Sequence, residues 1–169
     1  MKQLFQIHIS ANQLSSNSQK ATTLAKTKHL GEFKQGKVIY SPYEALYLIE
    51  TNNAELIKNN KPINKQNVEK TFSKNQKDFL TKYLVFKKLR QKGYIPKTGL
   101  KFGSEFRVYK KNKMQHARYL CYPLSDSNLK IEDLISKSRI AHSTAKSLLL
   151  AIVDSEHDII FYEINWMKI

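Results

Sequence analysis

The run Leu148-Leu149-Leu150-Ala151-Ile152-Val153 is apolar at six consecutive positions. A strand with one wet face alternates apolar and polar side chains, so an unbroken run reads as a strand covered on both faces. Such a strand needs helices above and below its sheet. Upstream, Glu132 to Ala145 predicts a helix of roughly four turns. Downstream, Ile159 to Trp166 reads as a further strand, and Phe106–Tyr109 and His116–Tyr122 read as two more. From Tyr94 onward the pattern is therefore mixed α/β, with a mixed central sheet.

Working toward the N-terminus, a long helix is expected from about Asn75 to Lys92, stopped by Gly93. Phe79, Leu80, Tyr83, Leu84, Phe86 and Leu89 form its apolar stripe, and Lys77, Lys82, Lys87, Lys88 and Arg90 lie largely elsewhere. The domain boundary is placed just before this helix, giving domains at 1–75 and 76–169. In the first domain Lys37–Tyr40 reads as a strand. Ser41 then caps a helix with Pro42 in its first turn and Glu44 completing a capping box. Ala45, Leu46, Leu48 and Ile49 form that helix's apolar face, and Asn52-Asn53 marks its end. Ser10 to Thr27 reads as loops and short strands, and Lys58 to Gln66 as a polar connection into another helical segment. The whole is of the α+β, mixed α/β class: a small N-terminal α/β domain followed by a second α/β domain.

Composition narrows the function. The chain has 169 residues, 41% of them apolar, which suffices for a buried core. Lys and Arg number 29 against 14 Asp and Glu, a formal net charge of +15. An excess of that size points to a polyanionic partner, nucleic acid first, with a generally basic solvated surface as the alternative. The single cysteine, Cys121, excludes an intramolecular disulfide, and without a CxxC pair a cysteine zinc site is not expected. Cys121 reads as a small buried hydrophobe on a strand. No apolar run approaches the roughly 20 residues of a membrane span, and the first residues show no signal-peptide core, so a soluble, cytoplasmic protein is expected.

Three side chains carry candidate chemistry. Tyr109 shares the polar face of its strand with Arg107, and a short polar connection leads on to His116. Arg139, His142 and Lys146 follow at helical spacing, so they fall on one face if the helix reaches that far. Three cations on one stripe repel each other unless an anion lies between them. The alternative is a half-buried Tyr109, a solvated His116 and solvent-facing helix cations. The five histidines form no HxxxH pair and acids are sparse in the C-terminal half, so no metal site is expected. Asp154-Ser155-Glu156-His157-Asp158 reads as a solvated turn between strands.

The segment from Lys82-Tyr83-Leu84-Val85-Phe86 to Gly93-Tyr94 leads into Lys97-Thr98-Gly99-Leu100-Lys101-Phe102-Gly103 and Phe106-Arg107-Val108-Tyr109. His116 and Arg139-Ile140-Ala141-His142-Ser143 to Lys146 follow in order. Together these resemble the archaeal-type tRNA-splicing endonuclease family, from about residue 79 to residue 169. The N-terminal half matches more weakly, mainly at Ser41 to Leu48.

The resemblance implies a restriction-endonuclease-like catalytic domain behind a scaffold domain. It implies excision of introns from precursor tRNA at bulge–helix–bulge sites, leaving a 2′,3′-cyclic phosphate and a 5′-hydroxyl, with no metal and no cofactor. Tyr109 matches the general base, His116 the general acid and Lys146 the stabiliser of the charged phosphorane. Phenols ionise near pH 10, so a phenolic base works best beside cations, and Arg107 and Lys146 are the candidates. Arg139 matches a residue that holds a bulged nucleotide, Trp166 is the planar candidate for its counterpart, and Arg107 is grouped with these substrate-binding residues. The resemblance further implies a tetramer built through the C-terminal strand, of one chain or with a paralogous structural subunit. The acidic turn with Asp154, Glu156 and Asp158 would insert into a basic pocket of another subunit. A non-catalytic RNA-binding or structural subunit of the same assembly is the alternative. Two departures stand out: the Tyr109–His116 connection is shorter than in several members, and Ala117 stands where serine is frequent.

Overall fold

The computed structural model describes residues 4–10, 13–74, 76–111, 113–125 and 129–167. The chain divides into two compact units, residues 1–77 and 78–169. Among the described residues there are five α-helices and two mixed sheets.

The first unit runs β1 (Phe5–Ser10), β2 (Gln13–Ser16), α1 (Gln19–Lys28), β3 (Glu32–Lys34), β4 (Lys37–Tyr40), α2 (Pro42–Glu50), β5 (Ala54–Lys58), β6 (Lys61–Pro62) and α3 (Lys65–Ser73). Its sheet has the order β3-β4-β2-β1-β5-β6, with β1 and β5 parallel. The capping box of α2 forms as its residues predict. Ser41 Oγ accepts from the Glu44 backbone N–H, and the Glu44 carboxylate accepts from Ser41 N–H at 3.0 Å and from Gly31 N–H at 2.9 Å. Helix α1 corrects the expectation of loops and short strands over Ser10 to Thr27. It starts at Ser18, whose Oγ accepts from Ala21 N–H, and buries little beyond Ala21, so its periodic signal is weak.

The second unit runs α4 (Phe79–Gln91), β7 (Tyr94–Thr98), a 3₁₀ turn (Leu100–Phe102), β8 (Phe106–Lys110), β9 (Tyr119–Ser125), α5 (Ile131–Ser143), β10 (Ser147–Val153) and β11 (Ile159–Ile164). The long helix expected from about Asn75 begins instead at Phe79: Asn75 itself lies outside the described residues, residues 76–78 are not helical, and Asp78 turns the chain at φ 57° just before α4. The sheet order is β11-β10-β9-β8-β7; β9 and β10 are parallel and every other neighbouring pair antiparallel. Phe106 pairs with Cys121 and packs against Phe86 of α4 at 5.9 Å between ring centroids. The adjacent residue Leu120 belongs to the opposite face, where Tyr122, Leu148 and Leu150 pack on Ala141 of α5. The apolar run of β10 is thus covered on both faces, as its composition implies. Cys121 is fully buried in this sheet, and burial pushes its thiol well above the usual range.

Three boundaries differ from the expectation, and each moves a candidate site residue. Helix α5 ends at Ser143, so Arg139, His142 and Lys146 do not share one helical stripe. Strand β9 starts at Tyr119, which leaves His116 in the preceding loop. Strand β11 ends at Ile164, which places Trp166 beyond it.

Candidate active site

The parallel pairing of β9 with β10 brings the entries of both strands side by side. Tyr119 is in register with Ser147, and Ser147 N–H donates to Arg118 O at 3.1 Å. Residues just before the two strands therefore become neighbours: the loop ending in His116, Ala117 and Arg118 on one side, Ala145 and Lys146 on the other. Because β8 runs antiparallel to β9, its last residue, Lys110, arrives at the same end of the sheet. An open cleft of about 560 Å³ lies here, lined by Lys110, Lys113, His116, Arg118, His142 and Lys146 together with small residues. It carries no carboxylate among its lining residues.

Lys146 owes its position to the way α5 stops. Ala145 turns into the left-handed region at φ 55°. Its N–H donates to His142 O at 3.0 Å, and Lys146 N–H donates to Ala141 O at 2.9 Å, the two bonds of a Schellman closure. Lys146 Nζ then donates to Thr144 O at 2.6 Å and stands 4.9 Å from the Phe102 ring centroid. The ammonium sits at a helix C-terminus, where carbonyl dipoles favour a cation.

Tyr109 is not among the cleft's lining residues but is linked to them by a chain of contacts. The Arg107 guanidinium lies 6.0 Å from the Tyr109 ring centroid and 5.8 Å from that of Phe102, against which Lys146 rests from its own side. Arg107 Nε donates to Thr98 O at 2.9 Å, which fixes the guanidinium along the strand pair. Phe102 is held by the tight 99–105 loop. Phe102 N–H donates to Gly99 O at 2.8 Å, and a Cβ on Gly99 would stand 2.2 Å from Ser104 Oγ. Glycine is required there for space.

The remaining candidates are not among the cleft's lining residues. Arg139 is exposed on α5, one turn before His142. Trp166 is exposed, and its ring centroid is 4.7 Å from that of His142. Asp154, Glu156 and Asp158 occupy the turn after β10, at the opposite end of that strand from the cleft. Asp154 shapes the turn, its Oδ1 accepting from Glu156 N–H at 2.9 Å and Asp158 N–H at 2.8 Å. Among the described residues no three His, Cys, Asp or Glu side chains converge as a metal site would require.

Beside the cleft is a cluster that sequence reasoning missed. Tyr119 Oη donates to Glu163 Oε2 at 3.2 Å, and Arg118 pairs with Glu163 at 3.6 Å while lying over the Tyr119 ring. Burial and the Glu163 charge push the Tyr119 phenol up to about 12. Burial opposes ionisation of Glu163, but hydrogen bonds from Ser147, Tyr119 and Asn165 and the Arg118 charge outweigh it and lower its pKa. The roles of Phe102 and Arg118 depend on strand register, for which local sequence carries no signal.

A mixed five-stranded sheet with a basic cleft at the paired strand entries, furnished with imidazole and ammonium groups, is suited to a polyanion. Comparison with known proteins specifies which. The family model of the tRNA intron endonuclease catalytic C-terminal domain matches residues 79–161. A tRNA-splicing endonuclease of Pyrococcus abyssi is 36% identical, covering 99% of this chain and 99% of its own. One of Methanothermobacter thermautotrophicus is 32% identical over 88% of this chain and 91% of its own. One of Nanoarchaeum equitans is 37% identical over 74% and 86%. The chain belongs to the tRNA-splicing endonuclease family.

Proposed function

We propose that this chain is the catalytic subunit of an endoribonuclease that excises introns from precursor tRNA at bulge–helix–bulge sites. The observation that carries the reading is the convergence of His116 and Lys146 in one carboxylate-free basic cleft, with Tyr109 tied to Lys146 through Arg107 and Phe102.

The reaction is an internal transesterification. Tyr109 takes the proton of the ribose 2′-hydroxyl, whose oxygen attacks the adjacent phosphorus. The P–O5′ bond breaks as His116 protonates the leaving oxygen. A 2′,3′-cyclic phosphate and a 5′-hydroxyl result, with no water consumed. Lys146 stabilises the charge that develops on the phosphorane oxygens. Arg139, Trp166 and Arg107 engage the RNA around the scissile bond.

Assembly is proposed through the β11 edge. Ile160 and Tyr162 are exposed on it, 54% and 49% accessible, and such a strand suits pairing with a second copy in a tetramer. Asp154, Glu156 and Asp158 would enter a basic pocket of another subunit, and the first unit would serve assembly. No helix among the described residues is long and apolar enough to cross a membrane, and a cytoplasmic site of action is proposed.

The test is cleavage of a bulge–helix–bulge RNA by the purified chain in EDTA, with analysis of the termini. Cleavage with cyclic-phosphate ends is expected, and dependence on a divalent ion overturns the metal-free mechanism. Activity only after addition of a second subunit identifies a heterotetramer. No activity with either indicates the non-catalytic alternative.

A further inference from the structure

Arg118 lines the cleft, and the proposed chemistry gives it no task. Its main chain is tied on both sides: the N–H donates to Val108 O at 2.9 Å, and the carbonyl accepts from Ser147 N–H at 3.1 Å. Its guanidinium is placed as well. It lies 5.0 Å from the Tyr119 ring centroid and 3.6 Å from one Glu163 oxygen, while Tyr119 Oη donates to the other at 3.2 Å. A separation of 3.6 Å orients the guanidinium by charge without engaging it in a hydrogen bond. The side chain is 45% exposed, so its fork of N–H donors is held in position yet open to a ligand. Half-exposed ion pairs add little to stability, which leaves recognition as the use of this arrangement.

Strand register shows which side of the cleft Arg118 serves. Phe106, Val108 and Lys110 alternate onto one face of β8, and the pairing of β9, β10 and β11 puts Tyr119 and Glu163 on that same face. Arg107 and Tyr109 belong to the opposite face, the one linked through Phe102 to Lys146. Lys110 and Arg118 therefore stand across the strand entries from the groups assigned to the scissile phosphate. Both line the cleft, both are exposed, and no carboxylate lines it with them. A planar guanidinium beside an ammonium matches the oxygens of a phosphate, which arginine can grip with two N–H donors at once.

We propose that Arg118 and Lys110 form a second phosphate site, holding a backbone phosphate of the RNA next to the one that is cleaved. The inference rests on the reading of this cleft as the RNA-cleaving site and adds to it the pair that fixes the path of the strand through it.

The experiment measures binding of a precursor-tRNA transcript carrying 2′-deoxyribose at the cleaved positions, over a range of salt concentrations. Arg118→Gln weakens binding by about 10- to 100-fold, the range for a hydrogen bond to a charged group. It also lowers the salt slope by about one charge, as losing one phosphate contact does, and Lys110→Gln lowers the slope likewise. Arg118→Lys keeps the charge and the parent's slope, which guards against a fold defect being read as a lost contact. The proposal is overturned if Arg118→Gln keeps the parent's slope, if Lys110→Gln does, or if Arg118→Lys loses as much slope as Arg118→Gln. His116→Ala, assayed for cleavage with the all-ribose RNA, separates the two readings. If it cleaves like the parent, the proposed chemistry fails, whereas the second phosphate site is decided by binding alone.

Discussion

Lys146 Nζ stands 4.9 Å from the centroid of the Phe102 ring, and the Arg107 guanidinium approaches the same ring at 5.8 Å. One aromatic side chain thus spaces two cations that would otherwise repel each other, and it does so between Tyr109 and the cleft. The ring is held by a loop in which Gly99 has no room for a side chain. A hydrophobic residue of the β7–β8 loop, in contact with the lysine that follows the helix-closing turn, is therefore part of the electrostatic layout.

Phe102→Leu keeps most of the apolar volume and removes the π-face. Cation–π contacts contribute about 0.5–2 kcal/mol. Cleavage of precursor tRNA by this variant should slow by roughly 2- to 30-fold in single turnover, with its folding midpoint little changed. An unchanged rate would show that Phe102 only fills space.

His116→Ala should slow cleavage by about 10²–10⁴-fold if the imidazole protonates the leaving oxygen. Its side chain is exposed in a loop, so the variant should fold normally. Single-turnover rates together with circular dichroism check both halves, and a rate equal to the parent's removes His116 from the mechanism.

Ala145 occupies, at φ 55°, the position where a helix ending in a Schellman closure usually carries glycine. A left-handed conformation costs an alanine about 1–2 kcal/mol, and part of this is offset by the extra unfolded-state freedom of glycine. Ala145→Gly should therefore raise the unfolding free energy by up to about 1 kcal/mol in urea titration. Since the same turn sets Lys146, cleavage should persist. A destabilised variant would mean that the alanine methyl packs favourably enough to outweigh the strain.

These features also explain how far the sequence can be read. The unbroken run Leu148–Val153, the Ser41–Glu44 capping box and the stripe of α4 ended by Gly93 are local signals, and each element forms there, although α4 starts at Phe79 and not near Asn75. Helix α1 is not legible because its residues are mostly polar and only Ala21 is buried. The end of α5 escapes a local reading because alanine, not glycine or asparagine, takes the left-handed position. Tyr109, His116 and Lys146 can be named from residue type and resemblance. That His116 and Lys146 meet in one cleft follows from the β9–β10 register, a pairing between segments 28 residues apart in sequence (Tyr119 with Ser147). Non-local pairings of this kind leave no local trace, which is why Phe102, Arg118 and the His142–Trp166 contact become visible only in the fold.

In the first unit Gly31 is irreplaceable for two reasons at once. Its φ is 83°, and a Cβ would lie 2.4 Å from Val38 Cγ1 and 2.7 Å from Tyr40 Cε1, both in buried residues. Gly31→Ala should destabilise by about 2–4 kcal/mol, summing backbone strain and overpacking. Gly36, at φ 79° with nothing within 4 Å of where a methyl would stand, isolates the backbone part. Gly36→Ala should lose only about 1–2 kcal/mol. Equal losses at the two sites in urea titration would show that Val38 and Tyr40 make room.

Tyr119 sets a limit at alkaline pH. An unfolded tyrosine ionises near pH 10, whereas burial and the Glu163 carboxylate push this phenol up to about 12. Between those values the folded chain holds a proton that the unfolded chain has lost. Stability is thus fully present below pH 10 and declines as pH rises toward 12, by at most about 1.4 kcal/mol per pH unit for this group. Tyr40 and Tyr122, also raised by burial, act in the same direction. The thermal midpoint should therefore hold up to about pH 9.5 and drop steadily above pH 10. Tyr119→Phe has nothing to ionise at this position, so its midpoint should fall less steeply with pH, even though losing the bond to Glu163 lowers it at neutral pH. Parallel curves for the two proteins would mean that Tyr119 ionises alike in the folded and unfolded chain, and that the Glu163 contact does not hold its proton.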